Sequence, residues 1–137
     1  MGEVGGSSPS GCTTFKKSSM KILVVEDSED RNQHFRQWLQ GHDFSIVLNA
    51  EDGIRQVHAK KYDVIFLDHD LGDRSGVPSD DPNTGYAVAK EIPNSINRDA
   101  QVIVHSMNPV GSQNILNVLS GKATHRVFGN WIEAAVK

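Results

Sequence analysis

Residues 20–39 read MKILVVEDSEDRNQHFRQWL. A continuous aliphatic run, Ile22-Leu23-Val24-Val25, stops at two acids, Glu26 and Asp27, with Ser28 next. An unbroken apolar run of this kind predicts a strand buried on both faces. Asp27 and Ser28 are good helix N-caps. Phe35, Trp38 and Leu39 then share one helical face, and Gly41 is placed to close the helix. Strand, acidic turn and helix in this order are the opening unit of an α/β sheet.

The pattern continues outward. Phe44, Ile46 and Leu48 alternate with polar residues, which predicts a strand at an edge or with one exposed side. A helix fits residues 51–60, with Ile54 and Val57 inward. Val64 to Leu67 is a second fully apolar run, and Val102 to Val104 a third. Between them lie a polar stretch, 69–83, with Gly72, Gly76, Pro78 and Pro82, and a helix over 85–92 that stops before Pro93. The Gly and Pro bracket is compatible with a lid or with a plain insertion. Ile115, Leu116 and Leu119 mark a fourth helix, ended by Gly121. His125 to Phe128 reads as a last strand, and Trp131 to Val136 as a final helical turn or two. Alternation with short connections predicts a doubly wound parallel five-stranded sheet, flavodoxin-like, in the order 2-1-3-4-5, with the alternating strand at the edge.

The 137 residues suffice for one domain. Residues 1–19, rich in Gly, Ser and Thr, have no hydrophobic period and lack a signal peptide's apolar stretch. They are read as an appended leader, with Met20 the natural start, or as a native flexible tail, and 20–137 as the domain. No apolar run reaches the length of a membrane span. With 14 Lys+Arg against 17 Asp+Glu the chain is no general nucleic-acid binder. One cysteine, Cys12, excludes an internal disulfide and a Cys-built zinc site, and suggests a reducing, cytoplasmic setting.

In such sheets ligands bind beyond the carboxyl ends of the strands. Glu26 and Asp27 follow the first strand, Asp68, His69 and Asp70 the third, and His105, Ser106, Met107 and Asn108 the fourth. In the order 2-1-3-4-5 these three strands are neighbours, so the clusters converge. Crowded carboxylates repel unless a cation joins them, and hard oxygens suit Mg2+, Mn2+ or Ca2+. Asp27 and Asp68 are the expected ligands, with Glu26 behind them or bound through water, and Asp70 a further candidate. His69 and His105 are candidates for acid/base work, phosphate contact or metal ligation. Ser106 offers a hydroxyl to phosphate, and Gly111 opens a helix whose free N–H groups suit an anion. His34, His42, His58 and His125 have no such company and read as surface or half-buried residues.

These residues carry a resemblance. KILVVEDSEDRNQHFRQWL and VIFLDHD are similar to a response-regulator receiver domain over about residues 20–131. Asp68 stands where receivers carry their phosphoacceptor, Glu26 and Asp27 match the acidic pair, and Ser106 matches the Ser/Thr ending the fourth strand. Receivers also carry a Lys at the end of the fifth strand. The corresponding stretch here, Val127-Phe128-Gly129-Asn130, has none, and Lys122 lies too early. LDHDLG (67–72), TGY (84–86) and VHSMNPVGSQNI (104–115) resemble a narrower group, the cyclic-phosphate processing receivers.

That resemblance implies a Mg2+-dependent pocket that binds or hydrolyses a cyclic phosphate, on a small molecule or an RNA end. Asp68, His69 and His105 would do the chemistry, and Ser106, Asn108 and Gly111 would hold the phosphate. The alternative is a phosphoaccepting response regulator of a two-component phosphorelay, with Asp68 modified by a histidine kinase or phosphotransfer protein. A third reading, an interaction module without phosphate chemistry, leaves the crowded carboxylates unexplained.

Overall fold

The computed structural model describes residues 19–136. The reading of 1–19 therefore lies, Ser19 apart, outside the described residues. Among the described residues five strands and five α-helices alternate: β1 Lys21–Val25, α1 Glu29–Trp38, β2 Asp43–Val47, α2 Ala50–Ala59, β3 Val64–Leu67, α3 Gly85–Glu91, β4 Gln101–Val104, α4 Pro109–Val118, β5 Ala123–His125 and α5 Trp131–Ala135. All strand pairs are parallel, and the sheet order is β2-β1-β3-β4-β5. This is the flavodoxin-like order 2-1-3-4-5 expected from the alternation.

Period-two alternation divides the core in two. Leu23, Val25, Ile65, Leu67, Val102 and Val104 face one way, onto Val57, Val88 and Ile115 of α2, α3 and α4. Ile22, Val24, Phe66 and Ile103 face the other way, onto Phe35 of α1 and Ile132 of α5. β1, β3 and β4 are thus covered on both faces, which is why they read as unbroken apolar runs. β2, the edge strand, is half-buried along most of its length.

The helices begin where side chains accept the free N–H groups of the first turn. Ser28 caps α1, Asn49 caps α2, Thr84 caps α3 and Asn108 caps α4. Asn97, wholly buried, accepts the Tyr62 N–H and donates to the carbonyls of Val57 and Lys60, tying the end of α2 to the approach to β4. Among the described residues no helix is long and apolar enough to cross a membrane.

One boundary departs from the sequence reading. The last strand is Ala123–His125, not His125–Phe128. Phe128 leaves the sheet because its ring has better company: it packs within 5.4 Å of Phe35 and 5.3 Å of Trp38, centroid to centroid.

Candidate metal and phosphate site

The ladders bring three side chains level. Val25 pairs with Leu67 and Leu67 with Val104, so the next residues, Glu26, Asp68 and His105, leave the sheet side by side. The N–H of Asp68 still bonds the Val25 carbonyl, and that of His105 the Leu67 carbonyl. Ligand atoms of the three lie within 4.8 Å of one another, and all three residues are buried.

Glu26 is fully engaged. His105 Nε2 lies 2.7 Å from its Oε1, Arg31 Nη1 3.4 Å from the same oxygen, and the Ser28 N–H donates to Oε2 at 3.0 Å. Burial pushes the Glu26 carboxyl up, but His105, Ser28 and Arg31 together hold it below its ordinary value. His105 is sealed, and burial holds its imidazole neutral by lowering its pKa. Its Nδ1 has no hydrogen-bond partner, and the rings of Phe35 and Phe128 lie 5.5 and 6.1 Å away. A proton on Nδ1 would be an unpaired buried donor, so the assignment that satisfies the network is Nε2–H donating to an ionised Glu26.

Asp68 is the opposite case. No described residue donates a hydrogen bond to its carboxylate, and the residue is 6% exposed. Burial first, then the charge of Glu26, with Asp27 and Asp70 adding to it against Arg31, push its pKa up to about 8. Asp27 accepts the Asp73 N–H, and burial with the nearby Glu26 raises its carboxyl as well. Asp27, Asp68, Asp70 and Asp73 line an open cleft of about 380 Å³, flanked by Arg31, Arg74 and Ser75.

These residues fit a divalent cation. The cleft holds a crowded carboxylate with no donor of its own, beside a second one that has oxygen capacity left. Glu26, whose oxygens already serve three donors, fits a place behind the ligands. Asp27 and Asp68 would hold the cation, which would supply the positive charge that the fold withholds.

The other predicted site residues gather elsewhere. His69 is wholly buried; its Nδ1 lies 2.7 Å from Asp70 Oδ1 and its Nε2 2.8 Å from Ser79 Oγ. Asp70 also accepts from Asn108 Nδ2 at 3.0 Å and from the Gly76 N–H at 2.6 Å. Burial acts to raise its pKa, and the hydrogen bonds from His69, Asn108 and Gly76 outweigh it and keep it low. Asn108 Oδ1 accepts the Gly111 N–H, so that N–H is already used within the helix cap. Gly111 owes its identity to packing: a Cβ there would lie 2.4 Å from the His69 ring. Gly85 is held as tightly, since a Cβ would meet the Asp68 carbonyl oxygen at 2.1 Å. Ser106 Oγ accepts the Asn108 N–H, and its carbonyl faces His125 Nε2 at 3.0 Å. None of His69, His105, Ser106, Asn108 and Gly111 lines the acidic cleft.

Because β5 ends at His125, the residue at the strand end is Arg126, not the Val127–Asn130 stretch. Its guanidinium stacks 4.0 Å from the Trp131 ring centroid, on the α5 side. Sequence reasoning also missed Arg31, Asp73 and Arg74 in the cleft. Arg31 had a readable signal, one helical turn beyond Asp27; Asp73 and Arg74 arrive on the long loop and had none.

Fold and cleft together define a receiver-type domain: a 2-1-3-4-5 parallel sheet with carboxylates converging beyond β1 and β3. Residues 21–121 match the cyclic-phosphate processing receiver domain, and the chain belongs to that family. No curated protein matches the chain significantly. Among solved structures, the receiver domain of a sensor histidine kinase from Pseudomonas aeruginosa, which has magnesium coordinated in its active-site cleft, is similar at TM-score 0.67. It is 21% identical, over 87% of this chain and 94% of that one. A two-component response regulator from Clostridium difficile is similar at TM-score 0.64 and 25% identity, over 84% and 89% of the two chains. A response regulator from Thermotoga maritima, in complex with Mg2+ and BeF, is similar at TM-score 0.58 and 24% identity, over 80% and 86%. The acidic cluster here fits a phosphoaccepting pocket of that kind.

Proposed function

We propose that the cleft holds Mg2+ or a similar divalent cation on Asp27 and Asp68 and uses it to bind a phosphate group, the cyclic phosphate of the family's name. The observation that carries this reading is the Asp68 carboxylate: buried, open to the cleft and without a hydrogen-bond donor among the described residues. A bound cation would offset the phosphate's charge and polarise its oxygens. Arg31 flanks the cleft and offers its guanidinium group to the same oxygens, while Arg74, also at the cleft wall, is held by Asp81 and the Leu71 and Asn83 carbonyls. Glu26, clamped by His105, sustains the negative field that draws the cation in.

His69 and His105 are both wholly buried, which favours positioning roles for them over direct contact with substrate. Cation binding is tested by calorimetry on the wild type and on Asp27→Asn and Asp68→Asn. Loss of binding in both variants, with hydrolysis of a nucleoside 2′,3′-cyclic phosphate only by the cation-loaded wild type, is the expected result. Unchanged binding in both would overturn the assignment of the ligands.

The second reading, phosphoryl transfer to Asp68 in a phosphorelay, is favoured by the same unpartnered oxygens, which are free to attack. It is weakened by the end of β5, where Arg126 stacks on Trp131 and the sequence has no Lys among the residues that follow to Asn130. Intact mass after acetyl phosphate and Mg2+ separates the two: a phosphoryl adduct that Asp68→Asn abolishes supports the phosphorelay.

A further inference from the structure

α3 and α4 pack side by side, and α3 stops early. Pro93 brings no N–H to continue it, so after Glu91 the chain tightens into one turn, Ile92–Asn94, and leaves the helix. Beyond that end, beside the C-terminal end of α4, lies a cavity of about 180 Å³. Ile92, Ala100, Val102 and Leu119 line it, all buried in the core on that face of the sheet, together with half-buried Val118. Ala100 and Val102 stand at the start of β4, so the cavity is at the opposite end of the sheet from the acidic cleft. Close-packed interiors seldom leave apolar space of this size uncovered.

The mouth of the cavity is cationic. Arg98 and Lys122 stand there, and both are exposed. Lys122 Nζ is loosely shared, 3.4 Å from Asp99 Oδ1 and 3.4 Å from the Arg98 carbonyl. The Arg98 guanidinium has no partner among the described residues, and Lys61 stands on an adjoining groove that Arg98 also lines. Ser120 adds a hydroxyl to the wall. It holds φ at 52°, the left-handed conformation that glycine usually fills at a helix end.

We propose that this cavity is a second binding site, for a small carboxylate that carries one aromatic ring or one branched aliphatic group. The apolar group lies on Ala100, Val102 and Leu119. The carboxylate meets Arg98, with the Ser120 hydroxyl as a further donor. Volume sets the size of the ligand: sites for drug-sized molecules run to roughly 300–1,000 Å³, and this cavity admits a single ring. Charge sets its head group, because Arg98 and Lys122 repel a cation and attract an anion. None of these residues belongs to the cleft, so the site works without a cation there.

The test uses para-fluorobenzoate and the isotope-labelled full chain in EDTA, so that no cation in the cleft can hold the carboxylate. Broadening of the fluorine resonance reads binding, and amide shifts read its place. Saturable binding with a dissociation constant of about 1 mM is expected, with the shifts concentrated at Arg98–Val102 and Val118–Lys122. The neutral analogue para-fluorobenzyl alcohol should bind the wild type about fivefold more weakly, and Arg98→Gln should weaken the benzoate by about as much. Arg98 is exposed, so this variant leaves the core untouched. No saturation by about ten times that concentration, shifts centred on Glu26, Asp27 and Asp68 instead, or equal binding of the alcohol and the benzoate would each overturn the proposal.

Discussion

Asp68 and Asp70 are two residues apart at the end of one strand, and the fold treats them in opposite ways. Asp70 accepts from His69, Asn108, Gly76 and Val77, and its carboxyl stays below the ordinary range. Asp68 accepts from no described residue and is pushed up to about 8. Where the chain supplies the donors itself, the carboxylate is finished structure, pinning the loop after β3. Where it withholds them, the positive charge must come from outside. The sequence string Asp68-His69-Asp70 thus serves two tasks.

The comparison breaks most visibly at Asp70. Asp70→Ala should destabilise the domain by about 3 kcal/mol, because it strands the buried His69 donor and frees the Gly76 and Val77 N–H groups of the loop, and urea denaturation reads this directly. Next comes the cation. At one hundred times its dissociation constant it should add about 2.7 kcal/mol to the wild type and nothing to Asp68→Asn. A gain of the same size in that variant would place the ion elsewhere. His105→Leu should destabilise by about 2 kcal/mol, since Glu26 keeps Arg31 and Ser28 but loses its buried donor.

The smallest effect has the opposite sign. The Asp68 carboxyl titrates near 8 in the fold against an ordinary 3.8, so within that window the native state binds the extra proton. Stability contributed by the protonated form is therefore lost as pH rises toward 8. The lowered pKa of His105 acts the other way, but only below its ordinary 6.5. In EDTA the melting temperature should consequently fall between pH 6.5 and 8. Asp68→Asn should flatten that slope and gain about 1 kcal/mol at pH 8, about 4 °C in a domain of this size. A wild-type curve as flat as the variant's would show that Asp68 is not crowded.

The architecture was readable because burial on both faces leaves a mark on composition. Ile22–Val25, Val64–Leu67 and Val102–Val104 could be little but interior strands, and the alternation of Phe44, Ile46 and Leu48 marked the edge. The last strand was misplaced because Ala123-Thr124-His125 has no such mark, whereas Val127-Phe128 does, and Phe128 uses it among aromatic rings rather than in the sheet. At the site, convergence of Glu26, Asp27 and Asp68 followed from strand order alone. That same order could not tell which way His69 turns. Its ring is directed by Asp70, Ser79 and a glycine forty-two positions away, contacts that exist only after α4 has docked.

The contact between the His69 ring and Gly111 ties two distant positions into one unit of inheritance. No side chain larger than hydrogen fits at 111 while an imidazole occupies 69. A relative that keeps the histidine should keep the glycine, and one that has exchanged the histidine for a small residue is released to carry alanine or more. Aligned relatives can then be sorted by that pair before any is purified: those with both residues carry the loop pinned as it is here, and those with neither have taken a different route over the helix.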